Sequence, residues 1–181
     1  KFGSIAINLG GRLDFHKSQM SDPAVGPSVP QMVANWAEQV AFNNHELKDR
    51  TGDIMLRLWS DRGNVKPRLT LAYKQRVGTA VERHSWMPTE ASGGLADGNI
   101  YIGNPNLRPE SAWIVEAGVD VEQRNLTWRP SIFYRHIDNF IQGVPVPDEF
   151  PIVRNIAAMN GDATPLMFAN VDANIYGADM D

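Results

Sequence analysis

Apolar and polar residues alternate along six stretches of the chain, the period-two pattern of strands whose two faces meet different surroundings. Between Ser4 and Lys17, the residues Ile5, Ile7, Leu9, Leu13 and Phe15 share one parity, while Asn8, Arg12, Asp14 and His16 take the other. A second strand is expected over Asp53–Trp59, with Ile54, Leu56 and Leu58 opposing Met55 and Arg57. A third runs from Arg68 to Val77, with Leu69, Leu71 and Tyr73 opposing Thr70, Lys74 and Arg76. The fourth, Ser111–Glu122, is nearly unbroken: Trp113, Val115, Ala117, Val119 and Val121 face away from Glu116, Asp120 and Glu122. The fifth sets Trp128, Ile132 and Tyr134 against Thr127, Arg129, Ser131 and Arg135. The sixth sets Val171, Ala173 and Ile175 against Asn170, Asp172 and Asn174.

The connections alternate too. Strands two and three are joined through Asp61-Arg62-Gly63-Asn64-Val65-Lys66-Pro67, and strands four and five through Gln123-Arg124-Asn125, both made of turn-forming residues. The other three connections run to about thirty residues or somewhat fewer, and loops that long are usually functional. Within the first of them, Pro30–Phe42 reads as a short helix, with Ser28 near its cap and Pro30 in its first turn. Long loops at one end and short turns at the other, on strands that are apolar on one face, match an antiparallel transmembrane β-barrel. In hydrocarbon every backbone N–H and C=O needs an internal partner, so a spanning sheet closes on itself, apolar outside and wet inside. A soluble antiparallel sandwich produces the same alternation, and periodicity alone leaves both open. Trp113 and Trp128, on the apolar parity at strand ends, fit the aromatic girdles of a barrel, whereas Trp59 falls on the polar parity.

Composition narrows the function. With 17 Lys+Arg against 21 Asp+Glu, a net charge of −4 and no block of like charge, the chain lacks the clustered cations that nucleic-acid phosphates demand. Zero cysteines exclude disulfides, thiolate metal sites and thiol nucleophiles. No apolar run approaches the roughly 20 residues of a membrane-spanning helix. Lys1–Leu9 has neither the apolar core nor the small-residue cleavage site of a secretory signal.

The run Gly103-Asn104-Pro105-Asn106-Leu107-Arg108-Pro109-Glu110-Ser111, leading into the strand with Glu116 and Gly118, resembles the signature of TonB-dependent outer-membrane receptors. Pro105 and Pro109 hold the residues before them extended, which stops a helix and delivers the chain as a strand. Downstream, Phe133-Tyr134-Arg135-His136-Ile137-Asp138-Asn139-Phe140-Ile141-Gln142 and Asn170–Asp179 are similar to two later strands of that family, in the same order. Lys74–Gly78 lacks the family's frequent Arg-to-Pro step, and Asp179 stands where Glu is common. The resemblance implies an outer-membrane receptor that captures a scarce nutrient, an iron-siderophore or other metal chelate, and imports it with energy from the TonB complex. Family barrels have about 22 strands and a plugged lumen. Residues 1–181 are therefore expected to be a partial barrel of about six strands, with long extracellular loops and short periplasmic turns, without plug or final strand. A passive porin-type channel and a soluble β-sandwich ligand-binding module are the alternatives.

No motif for catalysis is present: no P-loop, dinucleotide fingerprint, His-Glu-x-x-His or Gly-x-Ser-x-Gly. Glu116, Asp120 and Glu122 share a strand face, but a hydrated wall balanced by Arg129 and Arg135 accounts for them without acid–base chemistry. The expectation is thus no enzyme, no cofactor, no resident metal and no nucleic acid, with outer-membrane lipid, the TonB complex and a small-molecule or metal-chelate ligand as partners. Arg83, His84, Trp86, Met87, Asn99 and Tyr101, in the second long loop, form an aromatic and polar set suited to gripping a flat or chelated ligand at a barrel mouth. His84 and Met87 alone supply too few donors to hold a soft ion such as copper. In the family-like run, Asn104, Pro105, Leu107, Arg108, Pro109 and Glu110 are expected to be structural.

Overall fold

The alternating stretches become the long strands of one sheet in the computed structural model, which describes residues 5–41, 46–60, 63–89, 97–124, 126–162 and 164–180. Ser4, Phe42, Asp61, Arg62 and Asn125, each part of an expected strand, helix or turn, lie outside the described residues. The long strands are β1 (Ile5–Gln19), β2 (Glu46–Ser60), β3 (Val65–Arg76), β5 (Glu110–Gln123), β7 (Ser131–Pro145) and β8 (Leu166–Asp179), each pairing antiparallel with the next. Two short strands, β4 (Tyr101–Ile102) and β6 (Leu126–Trp128), and three helices, α1 (Gln31–Ala41), α2 (Ala80–His84) and α3 (Pro151–Met159), complete the described elements. The expected helix is α1; α2, α3 and β4 lie in loops where no period was legible. The sheet is open, ordered β1-β2-β3-β5-β7-β8-β4.

Register places the greasy parity of β1, β2, β3, β5 and β7 on one surface, which Tyr176 extends onto β8. A single row crosses the sheet as Leu9, Leu56, Leu71, Val115, Tyr134 and Tyr176, each the direct partner of its neighbour. This surface is bare: Leu9 is 69% exposed, Phe15 73%, Val115 43% and Tyr176 79%. A sandwich would have packed it against a second layer, so the architecture is that of a barrel wall. Along β5 the surface runs from Trp113 to Val121, which faces Trp128. That is about 26 Å along the strand, or roughly 20 Å of height at a barrel's usual tilt, against an apolar band of about 25 Å. Trp113 packs on Tyr73 with ring centroids 4.8 Å apart, and both expected girdle tryptophans stand exposed at the margins.

The opposite surface is polar and cross-linked. Arg68 donates to Glu116 at 3.0 Å and to Asp120 at 3.1 Å, and Lys66 donates to Glu122 at 2.7 Å. The cations that balance the β5 carboxylates thus come from β3, not from Arg129 and Arg135. Arg135 lies instead over the Phe133 ring, 5.2 Å from its centroid.

Two further differences have simple causes. The fifth strand is split at Arg129-Pro130, although β6 and β7 keep a common register on β5. Pro130 has no N–H to give the ladder, and its carbonyl still accepts from Val119 N at 3.1 Å. In the sixth strand, Tyr176 pairs with Tyr134 and Ile175 with Arg135, so Tyr176 rather than Ile175 extends the apolar surface. Gly177 makes room on the polar side, where a Cβ would come within 2.7 Å of the Phe133 ring. The Ile137-Asp138-Asn139 run shifts the β7–β8 register. Asn139 takes a left-handed φ of 58°, a conformation Asn tolerates better than most residues, and its N–H donates to Asp172 at 3.2 Å.

Because one surface is set against hydrocarbon, Val115→Arg in the centre of the apolar row is expected to cost about 2–4 kcal/mol of folding free energy in lipid. Thr70→Arg, on the polar wall beside Glu116, is expected to cost less than about 1 kcal/mol. Reversible urea unfolding of the whole receptor in vesicles measures both.

Candidate functional site

The buried core of this chain lies among its loops rather than under its sheet. One cluster unites Val33, Trp36 and Val40 of α1, Ile102 of β4, Val146, and Val153 and Ile156 of α3. In α1 the buried positions Val33, Trp36, Ala37 and Val40 follow helical spacing. Trp36 Nε1 donates to the Trp86 carbonyl at 2.6 Å, and its ring meets Phe150 edge-on at 6.4 Å. Helices from the first and third long loops thereby pack together, although β1 and β8 are separated by four intervening strands in the sheet.

Beneath this cover is a cavity of about 290 Å³ to which all three long loops contribute. Trp36, Trp86, Phe150, Met20, His84 and Met167 give it an aromatic and soft-donor lining. It opens on the polar side of the sheet. Met167 shares the parity of Ala173 and Ile175, whose neighbours on β7 are Ile137 and Arg135. His84, also in the lining, lies 3.3 Å from Ser18 Oγ, whose parity on β1 is that of His16.

The second loop is fixed by a set of ionic ties. Thr79 caps α2 in a reciprocal box: Glu82 N donates to Thr79 Oγ1 at 3.2 Å, and Thr79 N to Glu82 Oε2 at 2.7 Å. Glu82 also accepts from Arg76, whose fork reaches Glu110 at 2.7 and 2.8 Å. Glu110 accepts from Ile141 N at 2.7 Å as well, so one buried carboxylate holds β3, β5 and β7 together. Burial raises the Glu82 carboxyl, but Arg76 and the Thr79 cap outweigh it and leave the group below its ordinary value.

Arg83, 3% exposed, donates to the Asp49 carboxylate and to the Leu107 carbonyl, fastening α2 to β2 and to the Asn-Pro run. His84 lines the cavity with Nε2 at 3.3 Å from Ser18 Oγ. Trp86 lines it too, whereas Met87 packs on the hydrophobic cluster outside the lining. Asn99 and Tyr101 lie elsewhere. Tyr101 stacks on Phe168 at 5.1 Å in a second cluster with Leu107 and Ile141, and its hydroxyl donates to Asp97 at 2.6 Å. That bond, with one from Asn99, lowers the Asp97 carboxyl, while burial and Asp97 together raise the Tyr101 hydroxyl.

The Asn-Pro run is mostly scaffold. Asn104 Nδ2 donates to the Phe168 carbonyl at 3.1 Å, and Asn104 Oδ1 accepts from Asn106 N at 2.9 Å. Arg108 exchanges backbone bonds with the Asn170 amide, which also donates to the Asn139 carbonyl at 2.7 Å. Leu107 is buried, while Asn104, Pro105 and Asn106 edge the cavity. Pro109 follows as the lead into β5, which begins at Glu110. Gly103 permits a close backbone approach, since a Cβ there would lie 2.7 Å from Ser85 N. Of the residues singled out from the sequence, Arg83, His84 and Trp86 line the cavity, and Met20, Trp36, Phe150 and Met167 line it without having been singled out. Only Trp36 had a signal, as part of the apolar stripe of α1. Among the described residues no group of three or more His, Cys, Asp or Glu side chains is placed to hold a metal.

A barrel wall whose three long loops line one cavity has the architecture of an outer-membrane β-barrel. The model of the family described as TonB dependent receptor-like, beta-barrel, matches residues 1–181, and the chain belongs to that family of outer-membrane proteins. Three solved structures share the fold. The copper transporter OprC superposes with a TM-score of 0.61 at 15% identity, over 97% of this chain and 22% of its own. The siderophore receptor PirA from Pseudomonas aeruginosa gives 0.53 at 13%, over 75% and 27%. The Serratia marcescens hemophore receptor HasR, solved with its hemophore HasA and heme, gives 0.52 at 12%, over 96% and 27%. This chain therefore spans about a quarter of the length of each. No curated protein matches the chain in sequence.

Two outcomes test the loop scaffold. Gly103→Ala is expected to destabilise the receptor by about 1–3 kcal/mol, because backbone rather than a flexible side chain blocks the added methyl; the thermal midpoint reads it. The Glu82 contribution is present above the unfolded carboxyl's value near 4.5 and is lost as pH falls through its lower folded value. Proteolysis of the second loop should accordingly accelerate below about pH 4.5, and Glu82→Gln should cleave fast at every pH and flatten that profile.

Proposed function

We propose that this chain is the loop-bearing part of a barrel that captures a metal complex at its outer mouth and imports it with energy from the TonB complex. The observation that carries the reading is the convergence of three long loops on one cavity at the wet face of the wall. Trp36, Trp86 and Phe150 offer flat apolar surfaces for an organic chelate, and the three structural neighbours are a copper transporter, a siderophore receptor and a hemophore receptor. His84 and Trp86 contact the ligand, while Arg83, Asn99 and Tyr101 hold their loop in place. Both long edges of the sheet need partners in hydrocarbon, so the rest of the barrel, with a plug, comes from outside these residues. The protein is a transporter rather than an enzyme, partnered by outer-membrane lipid and not by nucleic acid.

A second reading of the ligand rests on the two thioethers and one imidazole of Met20, Met167 and His84, which suit a soft ion such as copper. Binding assays on the whole receptor with ferric, haem and cuprous probes separate the two. Trp86→Ala with His84→Ala should weaken an organic chelate at least tenfold with the heat-modifiable barrel intact, and Met20→Leu with Met167→Leu should leave it unchanged. Loss of cuprous binding with Met20→Leu and Met167→Leu and also with His84→Ala alone, while Trp86→Ala alone keeps it, selects the soft ion. Binding indifferent to all four changes refutes the site, and uptake that survives loss of TonB makes the protein a passive channel.

A further inference from the structure

The apolar surface ends in a cluster of positive charge at the loop end of the β1–β2 hairpin. On that surface Phe15 pairs with Arg50, and one step up Lys17 pairs directly with Lys48. The Arg50 guanidinium lies over the Phe15 ring, 5.3 Å from its centroid. Both lysines reach Glu46, at 2.7 and 2.6 Å, and their side chains remain 56% and 71% exposed. Asp14, Asp49 and Asp53 belong to the opposite parity and face the other way.

Like charges directly opposite one another on a strand pair are destabilising unless an anion lies between them. Here Lys17 and Lys48 share Glu46 while Arg50 lies over the Phe15 ring, so among the described side chains on this surface of the hairpin three cations meet a single carboxylate. Lys17 stands about 14 Å along the strand beyond Leu13, the last aliphatic of β1 on this surface. At that height, with an exposed aromatic ring just beneath, a membrane supplies one kind of anion: a phosphate whose acyl chains run down over Phe15 and Leu13. We infer that Lys17, Lys48 and Arg50 form a binding site for the phosphate of an outer-leaflet lipid, separate from the loop cavity. The site combines charge complementarity at the headgroup with a bare apolar floor for the chains, so a lipid fits it better than a free anion.

The whole receptor, extracted from membranes, delipidated and reloaded with bis-phosphorylated lipid A, provides the test, with bound lipid counted by native mass spectrometry. Lys17→Gln with Lys48→Gln should lower the affinity roughly twenty- to thirtyfold, following the worth of two surface lysines near anionic lipid. Lys17→Arg with Lys48→Arg should keep it, which separates charge from folding. Lys74→Gln, on the polar wall, should have no effect. Dephosphorylated lipid A should bind no better to the wild type than to the glutamine variant. Equal retention by the glutamine variant, equal binding of the dephosphorylated lipid, or displacement by inorganic phosphate at matched concentration would each overturn the assignment.

Discussion

Every feature of this chain depends on one requirement: backbone hydrogen bonds must be met within the sheet while one side of it faces a solvent that offers none. The continuous antiparallel ladder from β1 to β8, stepped once by the bulge in β7, meets that requirement where the strands pair. The row from Leu9 to Tyr176 is what remains once the polar groups have been turned inward or paired. The sheet therefore has no core beneath it, and hydrocarbon serves as the second layer. At the loop end of the apolar surface the Trp113–Tyr73 pair and Phe15 give way to Lys17 and Lys48, as a bilayer passes from interface to headgroups.

Without a core under the sheet, packing energy concentrates at the mouth. Among the described residues the loops supply twelve of the sixteen buried apolar side chains, and buried charged residues fasten them. Glu110 and Arg83 each satisfy partners on several strands and loops. Rigid anchorage of this kind matters for a receptor, since a cavity built from mobile loops would lose binding energy to ordering. Each run that resembles the family acts mainly on the others. The Asn-Pro segment docks on Phe168 and Asn170, and Asn170 stabilises the bulge that Asn139 introduces.

Side-chain parity and turn chemistry were legible because they depend on neighbours two to four residues apart. The long strands and α1 could be read in that way. Ile175 misled because a short run with apolar residues on both parities does not say which side is wet, and the register with Tyr134 decided it. The partners of Glu116, Asp120 and Glu122 were misassigned for a related reason. Parity identifies a face, but which adjacent strand supplies the cation depends on side-chain reach and on pairing across β3.

The sequence by itself determined that these strands carry one face for hydrocarbon and one for water, because alternation is a local property of the chain. Only the tertiary structure decided that Met20, Trp36, His84 and Met167 share a cavity and that Lys17 stands against Lys48. Those neighbours come from distant loops or opposing strands, and pairing register and loop packing, which couple residues far apart in the chain, bring them together.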